Sequence, residues 1–217
     1  MEQTAWDIGT AAISPREIKS DVTQDKAVLV EVRLSLPFFT LPDDKPTARR
    51  LNAFYDFLAR TLLRYAKNTL RRDASARLRD CLQNDRPFQP ASLITSFFVT
   101  GDRKNVLSIV VDRTETDGSV SLTMRTADNW HMPGGTPILR LLSRGAQKQV
   151  LRACEENALL RQRAGSQLYF EGLSKNLRRY FQADQCYLTP DSLAVFYQAS
   201  TISPLTEGLP EFTLERG

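Results

Sequence analysis

Residues 184–215 constrain this chain more than any other stretch, because they spell out an ordered series of elements. Cys186-Tyr187-Leu188-Thr189 reads as a strand. Pro190-Asp191 follows as a turn pair: proline presets the first turn angle, and aspartate bonds its own backbone. Residues 193–197, Leu-Ala-Val-Phe-Tyr, read as the return strand. Ile202-Ser-Pro-Leu-Thr-Glu-Gly208 fits a short helix with Ser203 as cap, Pro204 at its first position and Gly208 as its stop. Residues 212–214 close the unit as a third strand.

Upstream, Val28, Val30, Val32, Leu34 and Leu36 alternate with other residues and predict a strand with one buried face, ended by Pro37 and the 41–46 turn. A long helix is predicted over residues 47–82. Leu51, Phe54, Tyr55, Leu58, Leu62 and Tyr65 recur at steps of three and four, so they define an inner face. Arg60, Arg64, Lys67 and Arg71 recur at the same steps on the opposite face. Residues 91–100, 105–114 and 119–126 read as three strands, joined at Gly101-Asp102 and Asp117-Gly118; such tight turns require antiparallel neighbours. Residues 128–135, Asp-Asn-Trp-His-Met-Pro-Gly-Gly, read as a loop, 136–142 as a short helical piece, and 146–163 and 168–181 as helices, the last with Phe170 inward. The expected fold class is α+β: an antiparallel sheet packed mainly on one face by a long helix and two later helices. Residues 1–25 lack periodicity and are expected to form an N-terminal arm, with 26–217 as a single domain.

The closing series resembles the RsiV-like C-terminal domain, domain-of-unknown-function family 3298, found in lysozyme-sensing anti-sigma factors and ahead of some peptidoglycan deacetylase domains. Phe196-Tyr197, Ile202, Pro204, Gly208 and Phe212 match that family's run, while Ser200 and Thr201 stand where it has tyrosine and an acid. The likeness covers about residues 26–216. It implies a bacterial, non-enzymatic recognition or sensor-type domain that binds a protein partner or a cell-wall-related ligand.

The chain of 217 residues is 41% hydrophobic, enough for a folded core, and its net charge is +4. No stretch approaches the roughly 18 apolar residues that a spanning helix needs. The first residues show no basic region followed by an apolar core, which predicts a cytoplasmic location, or an extracytoplasmic one if the natural chain begins upstream of Met1. The three cysteines have no metal-type spacing and read as reduced thiols.

The chemistry-bearing residues are sparse. His131 is the only histidine, so neither a zinc set nor a triad built on a second histidine is available. No catalytic residue, metal ligand or cofactor is expected. Asp112, Glu115 and Asp117 cluster at a hairpin tip and read as a solvated turn. Loops on rigid strands are where recognition residues sit, and two loops carry polar groups that a core cannot use: Asn129, Trp130 and His131 in one, Ser200, Thr201 and Glu207 in the other. An exposed Trp130 would be a binding hot spot; a buried one would be core packing. Two alternatives stand beside a binding module. One is an enzyme of unrecognised type. The other is a cytosolic polyanion or nucleic-acid binder using Arg60, Arg64, Lys67 and Arg71, although the absence of interleaved exposed aromatics disfavours nucleic acid.

Overall fold

A computed structural model describes residues 6–8, 11–101 and 105–215. In chain order the elements are β1 (Trp6–Ile8), β2 (Ala11–Gln24), β3 (Ala27–Thr40), α1 (Lys45–Tyr65), a π-helical turn (Ala66–Leu70), α2 (Arg71–Gln83), β4 (Ala91–Gly101), β5 (Val106–Thr116), β6 (Ser121–His131), β7 (Thr136–Pro137), α3 (Arg144–Arg163), α4 (Leu173–Tyr180), β8 (Cys186–Leu188), β9 (Ser192–Phe196), a 3-10 turn (Leu205–Glu207) and β10 (Glu211–Glu215). One sheet takes β1 to β7 in chain order, and a second has the order β10-β9-β8. The class is α+β, as the sequence implies. One pair departs from the antiparallel rule: β3 and β4 run parallel from Val30–Ala91 to Leu34–Thr95. Parallel neighbours need a long crossover, and the α1–π–α2 run supplies it.

The chain divides into two compact units. One runs to Phe97 and takes back Asp112–Leu122; the other holds Phe98–Val111 and the chain from Thr123 onward. In the first unit β2 pairs with β3 along nearly its whole length. Residues 11–24 are therefore a strand, not an arm; the described part of the 1–25 lead is paired backbone. The register skips one residue of β3 between Val22↔Val30 and Thr23↔Val28, so Leu29 is the extra residue of a bulge. That bulge accounts for Leu29 and Val30 both being fully buried in what is otherwise an alternating strand.

The carboxylate of Asp44 accepts from Thr47 N at 3.2 Å and caps α1, with a proline in its first turn. The helix buries Leu51, Tyr55, Ala59, Leu62 and Ala66, and Tyr55 stacks on Phe39 of β3 at 6.0 Å. Asn52 ties the same two elements, accepting from Phe39 N at 2.8 Å and donating to Phe39 O at 3.0 Å. The inner face is thus rotated from the expected one. Phe54 is 40% exposed, Leu58 and Tyr65 are half-buried, and the small Ala59 and Ala66 occupy the contact. Arg60, Arg64 and Lys67 are exposed, as the spacing predicts. In an unbroken α-helix the Leu62/Ala66 face would return at Asp73; the π turn adds a residue, and Ala74 is buried while Asp73 is exposed.

The β5–β6 hairpin closes on Asp117, whose carboxylate accepts from Val120 N and Ser119 N, both at 2.9 Å, and from the Ser119 hydroxyl. Gly118 follows at φ +96°, and a Cβ there would lie 2.8 Å from the Arg77 guanidinium and 3.0 Å from Gln89 O. Turn geometry and crowding both call for glycine.

In the second unit Ser143 caps α3 by accepting from Ala146 N, and α3 buries Cys154 and Ala158. These pack with Leu177 of α4 and with Val195, Tyr197, Ile202 and Phe212. Three local expectations are corrected here. Residues 128–131 are the end of β6 and not a loop. Residues 136–137 are strand, and no helix forms over 136–142. Helix α4 begins at Leu173, so Phe170 lies outside it, 41% exposed. Among the described residues no helix is long and apolar enough to cross a membrane.

The Asp117 carboxyl is held down at about 2, below its usual 3.8, first by the Val120 N–H bond and then by the Ser119 groups. A depressed folded-state value contributes stability above pH ~3.8 that is lost as pH falls towards 2. Asp117→Asn should therefore flatten the fall in stability between pH ~4 and ~2 relative to the wild type, read by urea denaturation across that window.

Candidate binding site

The second unit is held together by polar side chains that do the work of a missing ladder. Strand β8 is the edge of its sheet. Gln185 and Thr189, which flank it, bond to the β9 side: Phe196 N donates to Gln185 O, and Thr189 N donates to Ser192 O. By alternation Cys186 and Leu188 turn their backbone groups the other way. Three of these groups meet side chains of the first sheet. Asn129 of β6 donates to Cys186 O at 3.0 Å, Ser108 of β5 accepts from Leu188 N at 3.1 Å, and Thr100 of β4 donates to Leu188 O at 2.9 Å. Ser108 also donates to Asn129 Oδ1 at 2.6 Å. Both residues are buried, so these bonds form away from water.

A second tie lies at the start of the turn after β9. The Gln198 amide accepts from Arg125 N at 3.0 Å and donates to Arg125 O at 2.7 Å, in the manner of one more strand residue beside β6. The Arg125 guanidinium lies 5.4 Å from the Phe98 ring and 5.9 Å from the Phe196 ring, and pairs with Glu211 at 2.6 Å. The Tyr187 hydroxyl donates to the same Glu211 oxygen at 2.9 Å.

From this anchor the chain turns through 199–208. Ser200 sits at φ +60°, and the Thr201 hydroxyl donates to Gln198 O at 2.6 Å. Ile202 and Ser203 are fully buried. The segment before α4 lies along this turn: Phe170 N donates to Ile202 O at 3.0 Å, and Leu168 N donates to the Glu207 carboxylate at 3.3 Å. Gly208, at φ +73°, ends the 3-10 turn. Ser203 is not its cap: the turn starts two residues later, and the Ser203 hydroxyl has no hydrogen-bond partner in its buried position. The two segments so joined carry exposed apolar side chains, Leu168 at 61%, Phe170 at 41% and Leu205 at 38%. One backbone bond and one bond to the Glu207 carboxylate join the segments that carry them.

The expected recognition residues separate into two groups. Asn129 and Trp130 are 6% and 3% exposed: the first is the bond described above, and the second is packed in. The Trp130 indole is therefore no surface hot spot. His131 is exposed at the end of β6, paired with Thr136 of β7. Ser200 is exposed, while Thr201 and Glu207 spend their polar atoms on the turn and on Leu168 N. What the sequence missed is the apolar trio, because Phe170 reads as a helix's inner face and Leu205 as one residue of a short helix. Arg60, Arg64, Lys67 and Arg71 lie exposed on the first unit's long helix.

Two other features set the chemistry available. A cleft of about 230 Å³ in the first unit is lined by Leu70, Asp73, Arg77, Glu115, Asp117 and Leu122, among others. It is smaller than the roughly 300–1,000 Å³ of drug-sized ligand sites. Burial pushes the Cys154 and Cys186 thiols up to about 12, so neither is a thiolate at neutral pH. Burial likewise raises the Tyr197 phenol, whose hydroxyl donates to Leu177 O at 3.0 Å. Among the described residues no group of three or more His, Cys, Asp or Glu could hold a metal ion.

The arrangement is an α+β fold in which a mostly antiparallel sheet is accompanied by a three-stranded sheet and flanking helices. Two solved members of the DUF3298 family have this fold. One, from Bacteroides fragilis, is 13% identical with a TM-score of 0.66, covering 95% of this chain and 91% of that one. The other, from Pseudomonas aeruginosa, is 15% identical with a TM-score of 0.54, covering 94% and 89%. This is the family that residues 184–215 resemble. No family model matches the chain, and no curated protein does.

Two substitutions separate bonding from packing. Asn129→Ala leaves Cys186 O without its donor and the Ser108 hydroxyl proton without its acceptor, while Ser108 still accepts from Leu188 N, and should cost about 1–3 kcal/mol in all. Trp130→Ala removes a buried indole and should cost about 3–5 kcal/mol. Denaturant midpoints measure both, and a Trp130→Ala protein as stable as the wild type would put the indole back among surface residues.

Proposed function

We propose that the chain is a non-enzymatic recognition domain of the DUF3298 type, binding a protein or a cell-wall-related ligand through the loop before α4 and the turn after β9. The observation that carries this reading is the set of exposed apolar side chains Leu168, Phe170 and Leu205 on two segments bonded to each other and anchored through Gln198. Exposed apolar groups on a rigid frame bind at low entropic cost, because little is ordered on association. Ser200 and His131 add exposed polar groups in the same unit. The resemblance to lysozyme-sensing domains supplies the ligand classes to try first. The raised thiol values speak against cysteine nucleophiles at Cys154 and Cys186.

Titration calorimetry with lysozyme, and co-sedimentation with purified peptidoglycan, test the reading. Binding to one of them is expected, with no release of soluble wall fragments. Phe170→Ala together with Leu205→Ala should weaken that binding at least tenfold, about 1.4 kcal/mol or more, with circular dichroism unchanged. Turnover of a wall-derived or nucleotide substrate by the purified protein would replace the proposal with an enzymatic one.

A further inference from the structure

Four cations stand on the outer side of the first unit's long helix. Arg60 and Arg64 belong to α1, Lys67 to the π turn and Arg71 to the start of α2, and all four are exposed. None of them makes an ion pair with a described residue. Other arginines of the unit do: Arg16 pairs with Asp56, Arg33 with Asp21, Arg72 with Asp73, Arg86 with Asp80 and Arg113 with Glu115. The acids of the helix, Asp56, Asp73 and Asp80, are thus taken by cations outside the stripe. The stripe itself is left without an internal counter-charge.

Beside it stand two aromatics that the helical spacing alone would have buried or left unnoticed. Phe57 is 64% exposed and Phe54 40% exposed. Residues 57, 60 and 64 follow at steps of three and four, so Phe57 shares a side with Arg60 and Arg64. From Phe57 to Arg71 the helix covers about 21 Å at 1.5 Å per residue. Solvation explains exposed arginines; it does not explain an open phenylalanine ring next to four unpaired cations.

We infer that this face docks on an anionic lipid surface. Headgroup phosphates neutralise Arg60, Arg64, Lys67 and Arg71, about one per turn, while Phe57 enters the boundary of the acyl region, as aromatic and basic side chains do on interfacial helices. The distribution of aromatics separates this from single-stranded nucleic acid. Bases would stack on rings interleaved with the cations. Here the exposed ring of Phe57 lies at one end of the stripe, and Tyr65, half-buried, turns its hydroxyl to Glu115 at 2.9 Å. The surface lies in the first unit and is independent of the Phe170 and Leu205 segments of the second.

Co-sedimentation of the full chain with phosphatidylcholine vesicles, and with vesicles containing a large phosphatidylglycerol fraction, tests the inference. The chain should sediment with the anionic vesicles alone, and raising ionic strength should release it. Arg60→Gln with Arg64→Gln should weaken the association about thirty-fold, at about five-fold per cation. Phe57→Ser should weaken it without changing its salt dependence. Circular dichroism should be unaltered in both variants, since every substituted side chain is exposed. Equal sedimentation with both vesicle types, or with neither, overturns the inference. So does a well-folded Arg60/Arg64 variant that sediments like the wild type. Tighter binding to a thymidine oligonucleotide than to anionic vesicles, lost in the same variant, would also overturn it and give the face to nucleic acid.

Discussion

The arrangement of the second unit rests on the buried contact of Ser108 and Asn129 with strand β8. Two sheets that shared a backbone ladder would need no side chains between them. Here the edge of the three-stranded sheet meets hydroxyls and an amide instead, at 2.9–3.1 Å. Each such bond adds only about 0.5–1.5 kcal/mol net, but an unmet group in that position is far more costly. The bonds therefore act chiefly through selection. A β8 shifted by one residue would turn Cys186 O and Leu188 N away from the groups that meet them, and would face apolar side chains into the polar contact. Position follows: with β8 fixed, β9 and β10 pair from Cys186↔Val195 and Phe212↔Val195 outward, and the 198–208 turn emerges at one place.

The first unit solves the same problem by length. The pair β2–β3 is long, and it is cross-linked by side chains on its outer face, Arg33 with Asp21 at 2.6 Å and Ser35 with Glu17 at 2.6 Å. These exposed pairs are individually weak. The larger contribution is the long β2–β3 backbone ladder, broken only by the bulge at Leu29, against which α1 packs through Asn52 and Tyr55. The parallel step to β4 then follows from a crossover that already contains nearly forty helical residues' worth of reach, from Lys45 to Gln83.

Much of this was legible in the residues. The alternation of Val30 to Leu36, the Asp117-Gly118 hairpin turn and the three strands of the 184–215 series reappear as read, because each is a local pattern with a local cause. The turn expected at Gly101-Asp102 runs into residues outside those described, and the short helix expected from Ser203 is a 3-10 turn that begins at Leu205. The failures share a different cause. Strand β2 carries its buried side chains at Ile13 and Val22, too sparsely for a period of two, and its pairing comes from β3 rather than from its own pattern. The inner face of α1 keeps Leu51, Tyr55 and Leu62, but the small Ala59 and Ala66 are buried with them while Phe54 lies outside. The 128–135 segment carries the marks of a loop in Asn129, Pro133 and the glycine pair. Asn129 is in strand all the same, because its amide is satisfied by β8, more than fifty residues away in the chain. Of the proposed recognition residues, Ser200 and His131 kept their exposure, and the apolar trio became visible only once α4 was seen to begin at Leu173.

The interlock has a consequence for the order in which the chain can acquire its shape. Ser108 and Asn129 are synthesised long before Cys186 and Leu188. Until those residues arrive, β5 and β6 present a hydroxyl and an amide whose partners do not yet exist, on a surface that is otherwise preparing to be dry. Contacts of such sequence separation form late, after the loop between them has been closed against its entropy. A ribosome-bound fragment ending within α3 would therefore hold its meander half-finished, with water standing in for the last strands. The hairpin of β8 and β9 is what dismisses that water, so the most local-looking piece of the sequence is also the piece that completes the least local part of the fold.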